Sequence, residues 1–267
     1  MFFRPPALHH AHLPHNAVVI VLRLTRAALS MLAVSAVTLA QLNLPSKATW
    51  DDLSLVLYCS VFLIAAFLLH DAVFTVDYIA KAARAREYEL QLRASLSATI
   101  GELVDEFGVR WDEVGVYHYR LSGFRWRRRL TKVGGMLAGV PPNDMPTSYD
   151  IGKGVPGLAV QERMLVTESW RQFVERWEQS RPRDWEDQPS DHRYGLDWDE
   201  LMSSDRVEAI VANPQYSAGR LTGCIVVTGP FKPLQMSGSP MRRIMSNTAT
   251  QIKHLGPPPR GWRNHAS

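Results

Sequence analysis

The sequence predicts an α+β chain made of an N-terminal transmembrane α-helical hairpin, a helical stalk and a domain built on an antiparallel sheet flanked by helices. Three observations carry this. Two charge-free apolar runs, Ala27–Leu44 and Leu53–Leu69, sit back to back near the N-terminus. A proline-free stretch with apolar residues at helical spacing follows them. Beyond it, short β-branched and aromatic runs alternate with helix-like segments and glycine-bearing turns.

The apolar runs hold 18 and 17 residues. At about 1.5 Å rise per residue, each approaches the roughly 30 Å hydrocarbon core of a bilayer. Arg23 and Arg26 stand at the outer end of the first run, and Lys81, Arg84, Arg86 and Arg93 follow the second. The connection Pro45–Asp52 carries only Lys47, against Asp51 and Asp52, together with the interfacial residue Trp50. Basic outer flanks predict a two-span hairpin over 17–76 in the cytoplasmic membrane, with both termini cytoplasmic. A cleaved signal peptide is the competing reading; it loses because a second span follows at once and no small-residue cleavage site is evident. His70, Asp71 and Asp77 fall at the cytoplasmic edge of the second span, where water reaches them, rather than on an ion path. The opening tail, 1–16, carries His9, His10, His12 and His15 among prolines. It reads as a disordered solvated segment, with weak metal binding as the sharper alternative.

From Asp71 to Phe107 there is no proline, and the only glycine is Gly101. Leu92, Leu96, Ile100, Leu103 and Phe107 recur at steps of three and four, which draws one face of a helix. This stalk, 77–107, pairs with a second copy, packs on the domain that follows, or does both. The formal net charge is +4, and the two cysteines fall in the second apolar run (Cys59) and in a strand-like run (Cys224). Neither makes a disulfide framework or a CxxC site, and a reducing cytoplasm fits. The part after the hairpin is long enough for one domain with a proper core.

In that part, Val114–Leu121 and Phe124–Val133 read as two strands around Ser122–Gly123. A Pro-, Gly- and Asn-rich loop runs from Gly134 to Asp150. Gly152 and Gly154 then supply tight backbone, a short helix covers Val155–Glu162, and Met164–Thr167 is a strand. Val207–Asn213 and Leu221–Thr228 form two further strands around Ser217–Arg220. A helix over Pro240–Leu255 closes the domain, and 256–267 is a Pro-rich disordered tail.

The segment IGKGVPGLAVQERMLV at Ile151–Val166 and the hairpin VEAIVANPQYSAGRLTGCIVVT at Val207–Thr228 resemble the GAF family of small-ligand sensor domains. The resemblance spans about Leu92–Leu255, with the domain proper at 108–255, and PAS-like domains have similar ingredients. It implies an antiparallel sheet of five or six strands, helices from both ends packed on one face, a pocket on the other, and pairing into a homodimer through terminal helices. It implies no activity, because one fold hosts many functions. The residue set associated with cyclic-nucleotide binders is missing. Cys224 sits in a predicted central strand, which argues against chromophore attachment, so the cofactor stays unknown.

Two features depart from the family pattern. Arg125, Arg127, Arg128, Arg129 and Lys132 interleave with Trp126 on one predicted strand, and alternation sends Trp126 and Arg128 to the same face. This basic strand is attracted to anionic membrane lipids, receives a phosphorylated ligand, or is solvated and paired with acidic neighbours. One such strand is too little to make nucleic acid the expected partner. The second departure is an insertion at about 168–205 with eleven acids against five arginines and four of the eight tryptophans. It folds over the domain as a lid on the pocket or as a packed flap.

The sequence holds no GxxxxGK[ST] loop, HExxH, GxSxG or metal-ligand cluster, and the expectation is that the chain is not an enzyme. Asp191–His192 has no nucleophile tied to it, and His118 reads as a structural histidine. The reading is a membrane-anchored cytoplasmic sensor or regulatory protein that binds a small ligand, anionic if the Arg/Trp strand receives it. Ligand-binding candidates are Tyr117, Tyr119, Trp126, Arg128 and Trp170. Output passes through oligomerisation or a signalling partner protein. The alternatives are a membrane-perturbing two-helix effector gated by the domain, as in bacterial conflict systems, and a ligand-free membrane scaffold.

Overall fold

The computed structural model describes residues 13–42, 44, 46–124, 127–137, 145–178, 180–204 and 207–259, so residues 1–12 and 260–267 of the expected tails lie outside the described residues. The chain falls into two compact units, Met1–Ala80 and Lys81–Ser267.

The first unit contains helix α1, Leu13–Gln41, the short helix α2, Lys47–Asp52, and the start of helix α3, Ser54–Phe107. α3 holds an apolar stretch long enough to cross a membrane, and it is the one such helix among the described residues. Of the expected two-span hairpin, α3 holds one candidate span, and a second is not shown among the described residues. The apolar part of α1 is Ala27–Gln41, shorter than the about 20 residues a bilayer requires. Its helix ends before Asn43 and Pro45, residues that favour turns and disfavour helix at the position ahead of them.

The second unit is a six-stranded sheet with helices on both faces. Its strands are β1, Gly115–Ser122; β2, Arg129–Leu137; β3, Ser148–Asp150; β4, Val166–Glu168; β5, Ala209–Ser217; and β6, Arg220–Gly229. The order across the sheet is β3-β2-β1-β6-β5-β4, and every neighbouring pair is antiparallel. This is the mixed helix-and-antiparallel-sheet arrangement that the GAF-like resemblance implies.

Side-chain alternation builds two cores. Val114, Val116, Val211, Ile225 and Val227 face the end of α3 and helix α9, Ser239–Leu255. The spaced stripe of the stalk is the α3 half of this core: Leu92, Leu96, Ile100 and Leu103 are all buried. Burial of one such side chain contributes about 1.5–3 kcal/mol. Tyr117, Tyr119, Ile210, Ala212 and Val226 face the other way. They are covered by helix α4, Gly154–Glu162, and by the segment after β4. That segment contains α5, Trp170–Glu178, α6, Pro182–Glu186, and α7, Trp198–Ser203. Its Trp170, Phe173, Trp185 and Leu201 are buried in this second core. A last short helix, α8, Pro233–Ser237, leads into α9.

The basic strand expected over Phe124–Val133 is shifted. Arg127 donates its N–H to the Phe124 carbonyl at 2.8 Å, closing a turn, and β2 starts only at Arg129. Gly123, with φ +97°, provides the left-handed backbone that starts this turn. Strong hydration of adjacent guanidiniums favours a solvated turn there over a place in the ladder. Residues 125 and 126 lie outside the described residues.

Candidate ligand-binding site

The loop that links β3 to α4 shapes one side of a cavity. Gly152 and Gly154 take φ values of +83° and +66°, conformations costly for residues with a Cβ. The Gly154 N–H donates to the Tyr194 carbonyl at 2.7 Å, which ties the loop to the segment between α6 and α7. α4 therefore starts at a fixed place, with Lys153 just before its first turn.

Between this loop, β2–β3, α5 and α7 lies a cavity of about 400 Å³. Its walls are apolar: Val155, Pro156, Leu196, Ile210 and the indole of Trp170. Its charged groups stand in two ion pairs. Arg129 Nη2 lies 3.2 Å from Asp150 Oδ1, across the register pair of β2 and β3. Lys153 Nζ lies 2.5 Å from Glu200 Oε1, reaching from the loop to α7. Pockets of about 300–1,000 Å³ with mostly apolar walls and a few placed polar groups are the usual form of small-molecule sites.

The scaffold behind the cavity is aromatic, and several of its polar tips are paired. Trp170 donates its indole N–H to the Ser204 carbonyl and hydroxyl, each at 3.0 Å. Trp185, fully buried, donates to the Leu196 carbonyl at 3.2 Å. The Tyr194 hydroxyl donates to the Glu168 carboxylate. Burial, then this bond, holds the Tyr194 phenol well above its ordinary range. Rings of Trp170, Phe173, Trp185 and Tyr194 meet edge-on or tilted with centroids 5.2–6.0 Å apart, spacings that favour attraction between ring edge and face.

Of the five residues expected from sequence, Trp170 lines this cavity. Tyr119 is buried beneath it, with its hydroxyl donating to the Pro146 carbonyl at 2.8 Å and its ring against Tyr149 at 5.4 Å. Tyr117 is buried in the same core, under Lys132. Arg128 is exposed and opens onto a separate groove with Arg120, Arg163 and Arg220. Trp126 lies outside the described residues. His118 points from the opposite sheet face to Tyr117 and Tyr119, and burial pushes its imidazole down to about 4. Cys224 is buried among the β-strands, and burial pushes its thiol far up. Asp150, Lys153 and Glu200 have no signal of a site in the sequence, and Arg129 stands there only as one member of the basic strand. Lys153 stands in the IGKG segment and Glu200 three residues after the cap Asp197; both positions are legible as local structure, and neither signals a cavity. Among the described residues no group of His, Cys, Asp or Glu is arranged to hold a metal ion.

No protein-family model matches the chain, and no curated protein matches it. Solved structures do resemble it. One is a free methionine-R-sulfoxide reductase from Neisseria meningitidis in complex with its substrate: 16% identity over 66% of this chain and 82% of that chain, TM-score 0.37. Another is the GAF domain from an Acinetobacter phosphoenolpyruvate-protein phosphotransferase: 14% identity over 66% and 92%, TM-score 0.35. A third is the GAF domain region of a membrane protein from Geobacter sulfurreducens: 15% identity over 64% and 95%, TM-score 0.39. Likenesses of this degree concern the fold alone. They correct the expectation that the chain is not an enzyme, because reductases stand among the similar structures. The missing motifs exclude P-loop, HExxH and GxSxG chemistry, and catalysis as such is not excluded by them.

Proposed function

We propose that the second unit is a ligand-binding sensor or regulatory domain that takes a small molecule in the 400 Å³ cavity. The observation that carries this reading is the combination of apolar walls with two ion pairs, Arg129–Asp150 and Lys153–Glu200. Such a site suits a compact ligand with an apolar body and a charged or polar head. The body lies against Val155, Pro156, Ile210 and Trp170, and the head meets Lys153 and Arg129, whose carboxylate partners orient them. The segment carrying α5–α7 acts as the cover of the site, and its indoles report occupancy. The apolar stretch of α3 anchors the chain in a membrane, with the following basic residues Lys81, Arg84 and Arg86 on the cytoplasmic side. Pairing of two copies or a partner protein carries the response onward.

The test uses the full chain in maltoside micelles, titrated with free amino acids and nucleotides while the thermal midpoint and tryptophan emission are followed. A ligand at a hundredfold excess over its dissociation constant adds about 2.7 kcal/mol. Lys153→Ala is expected to weaken binding about tenfold. Binding that Lys153→Ala and Arg129→Ala leave unchanged overturns this assignment of the site.

A further inference from the structure

A second cavity, of about 250 Å³, lies on the opposite sheet face, between the β5–β6 hairpin and the C-terminal end of α9. Its charged lining groups are Arg120 and Lys253, with no carboxylate among the lining residues. His118 and Gln215 stand in its wall, both buried, and the Gln215 side chain bonds the imidazole. The register explains why that bond forms. Arg120, Gly223 and Gln215 fall in one row across β1, β6 and β5. The middle position has no side chain, and a Cβ there would come within 2.1 Å of the Tyr119 carbonyl oxygen. Gln215 therefore reaches across Gly223 toward His118.

The other imidazole nitrogen, Nδ1, is buried with no hydrogen-bond partner, in a side chain that is 6% exposed. A buried polar atom without a partner is unfavourable, and this imidazole stands in the wall of the cavity. A groove of about 530 Å³ adjoins it and shares Arg120, Tyr216 and Thr222. That groove adds Arg128, Arg163 and Arg220, again with no carboxylate in its lining. Among the described residues none of these five cations is recorded in an ion pair. Uncompensated cations around a concavity concentrate positive potential and draw in anions. Guanidinium forks match phosphate oxygens in geometry as well as charge.

We propose that the cavity at His118, Arg120, Gln215 and Lys253 binds the phosphate of a phosphomonoester, with Arg128, Arg163 and Arg220 supplying the surrounding positive field. Arg120 and Lys253 donate to its oxygens. The Gln215 bond favours the protonated imidazole, as a bond donated by the ring does, while burial keeps the ring neutral at pH 7, so His118 forms the wall beside these two donors. The phosphomonoester is a soluble metabolite or the headgroup of a lipid, and the two sources share this chemistry.

The full chain in neutral maltoside micelles is titrated calorimetrically with glycerol 3-phosphate and with dihexanoyl phosphatidic acid. Binding of at least one is expected, weakened tenfold or more in Arg120→Ala and in Lys253→Ala and unchanged in Arg110→Ala. Arg120 and Lys253 are exposed, so these variants are expected to fold as the parent does, and circular dichroism checks it. Tighter binding of the glycerol ester supports a metabolite, and tighter binding of the lipid supports a headgroup. Failure of both probes, or binding lost in Lys153→Ala and kept in Arg120→Ala, overturns the proposal.

Discussion

Lys153 and Glu200 meet at 2.5 Å, so the residue before α4 and the third residue of α7 are held together over the cavity. Glu200 has a second task. It accepts from the Asp197 N–H at 3.1 Å while its own N–H donates to Asp197 Oδ1 at 2.8 Å, a reciprocal cap on α7. Glu200→Gln keeps the cap and removes the ion pair. With both partners about one-third exposed, its expected cost is below about 1 kcal/mol. Glu200→Ala loses the ion pair and the side-chain half of the cap, keeping its own N–H bond to Asp197 Oδ1, and is expected to cost about 1 kcal/mol. Urea unfolding of the two variants, followed by circular dichroism, separates these contributions.

Trp185 anchors the cover segment. It is fully buried and touches Phe173 and Trp177 ring to ring. Trp185→Ala is expected to destabilise by about 3–5 kcal/mol, from lost burial and the cavity left behind. Trp185→Phe is expected to cost less, because only the indole's second ring and its bond to the Leu196 carbonyl are lost. Equal costs for the two would show that the segment collapses onto the gap.

The Thr99 and Thr248 hydroxyls lie 2.8 Å apart in the buried seam between α3 and α9. Each also reaches a carbonyl one turn back in its own helix, Ser95 and Ile244. Thr99→Val is expected to cost about 1 kcal/mol, since it leaves a buried hydroxyl with one partner fewer. The double variant Thr99→Val/Thr248→Val is expected to cost less than the sum of the single variants, because both polar groups go together. A double-mutant cycle by urea unfolding measures that coupling.

His118 makes stability depend on pH. Burial lowers its folded-state pKa to about 4 from an unfolded value of about 6.5, and the nearby Arg120 acts in the same direction. Between these values the unfolded chain binds the extra proton, so stability rises with pH across the window. The contribution is fully present above about 6.5 and is lost as pH falls toward about 4, with a limit of about 3 kcal/mol. His118→Gln is expected to flatten the dependence of the unfolding midpoint on pH between 4.5 and 7, as thermal melts at several pH values would report. A phosphate bound beside the imidazole shifts the same curve toward lower stability loss, since it favours the charged ring.

Much of the domain is legible in the chain. The IGKG loop and the helix after it fall where Gly152, Gly154 and the apolar run Val155–Val160 put them. The β5–β6 hairpin forms where Val207–Asn213 and Leu221–Thr228 put it, with β6 within one residue and β5 running four residues further, to Ser217, because the alternation there is long and bounded by Gly219. β3 was read as loop, since three residues are too few to show a period. Tyr117 and Tyr119 share one sheet face in the second core, as the strand alternation of Val114–Leu121 implies. Their burial depends on Val155, Tyr149 and Trp170, which arrive from other elements. The pairs Arg129–Asp150 and Lys153–Glu200 join residues 21 and 47 positions apart, a separation with no local signature. His118 was legible as structural, while its orphaned nitrogen depends on the row Arg120–Gly223–Gln215, which only the strand register reveals.

The outermost strands of the sheet, β3 and β4, hold three residues each. At about 3.3 Å per residue, each border offers roughly 10 Å of open backbone. A foreign strand laid along either margin would find too few amide partners to stay. These two strands therefore make poor templates for further strands, which disfavours at their margins the fibrous association that long flat borders invite.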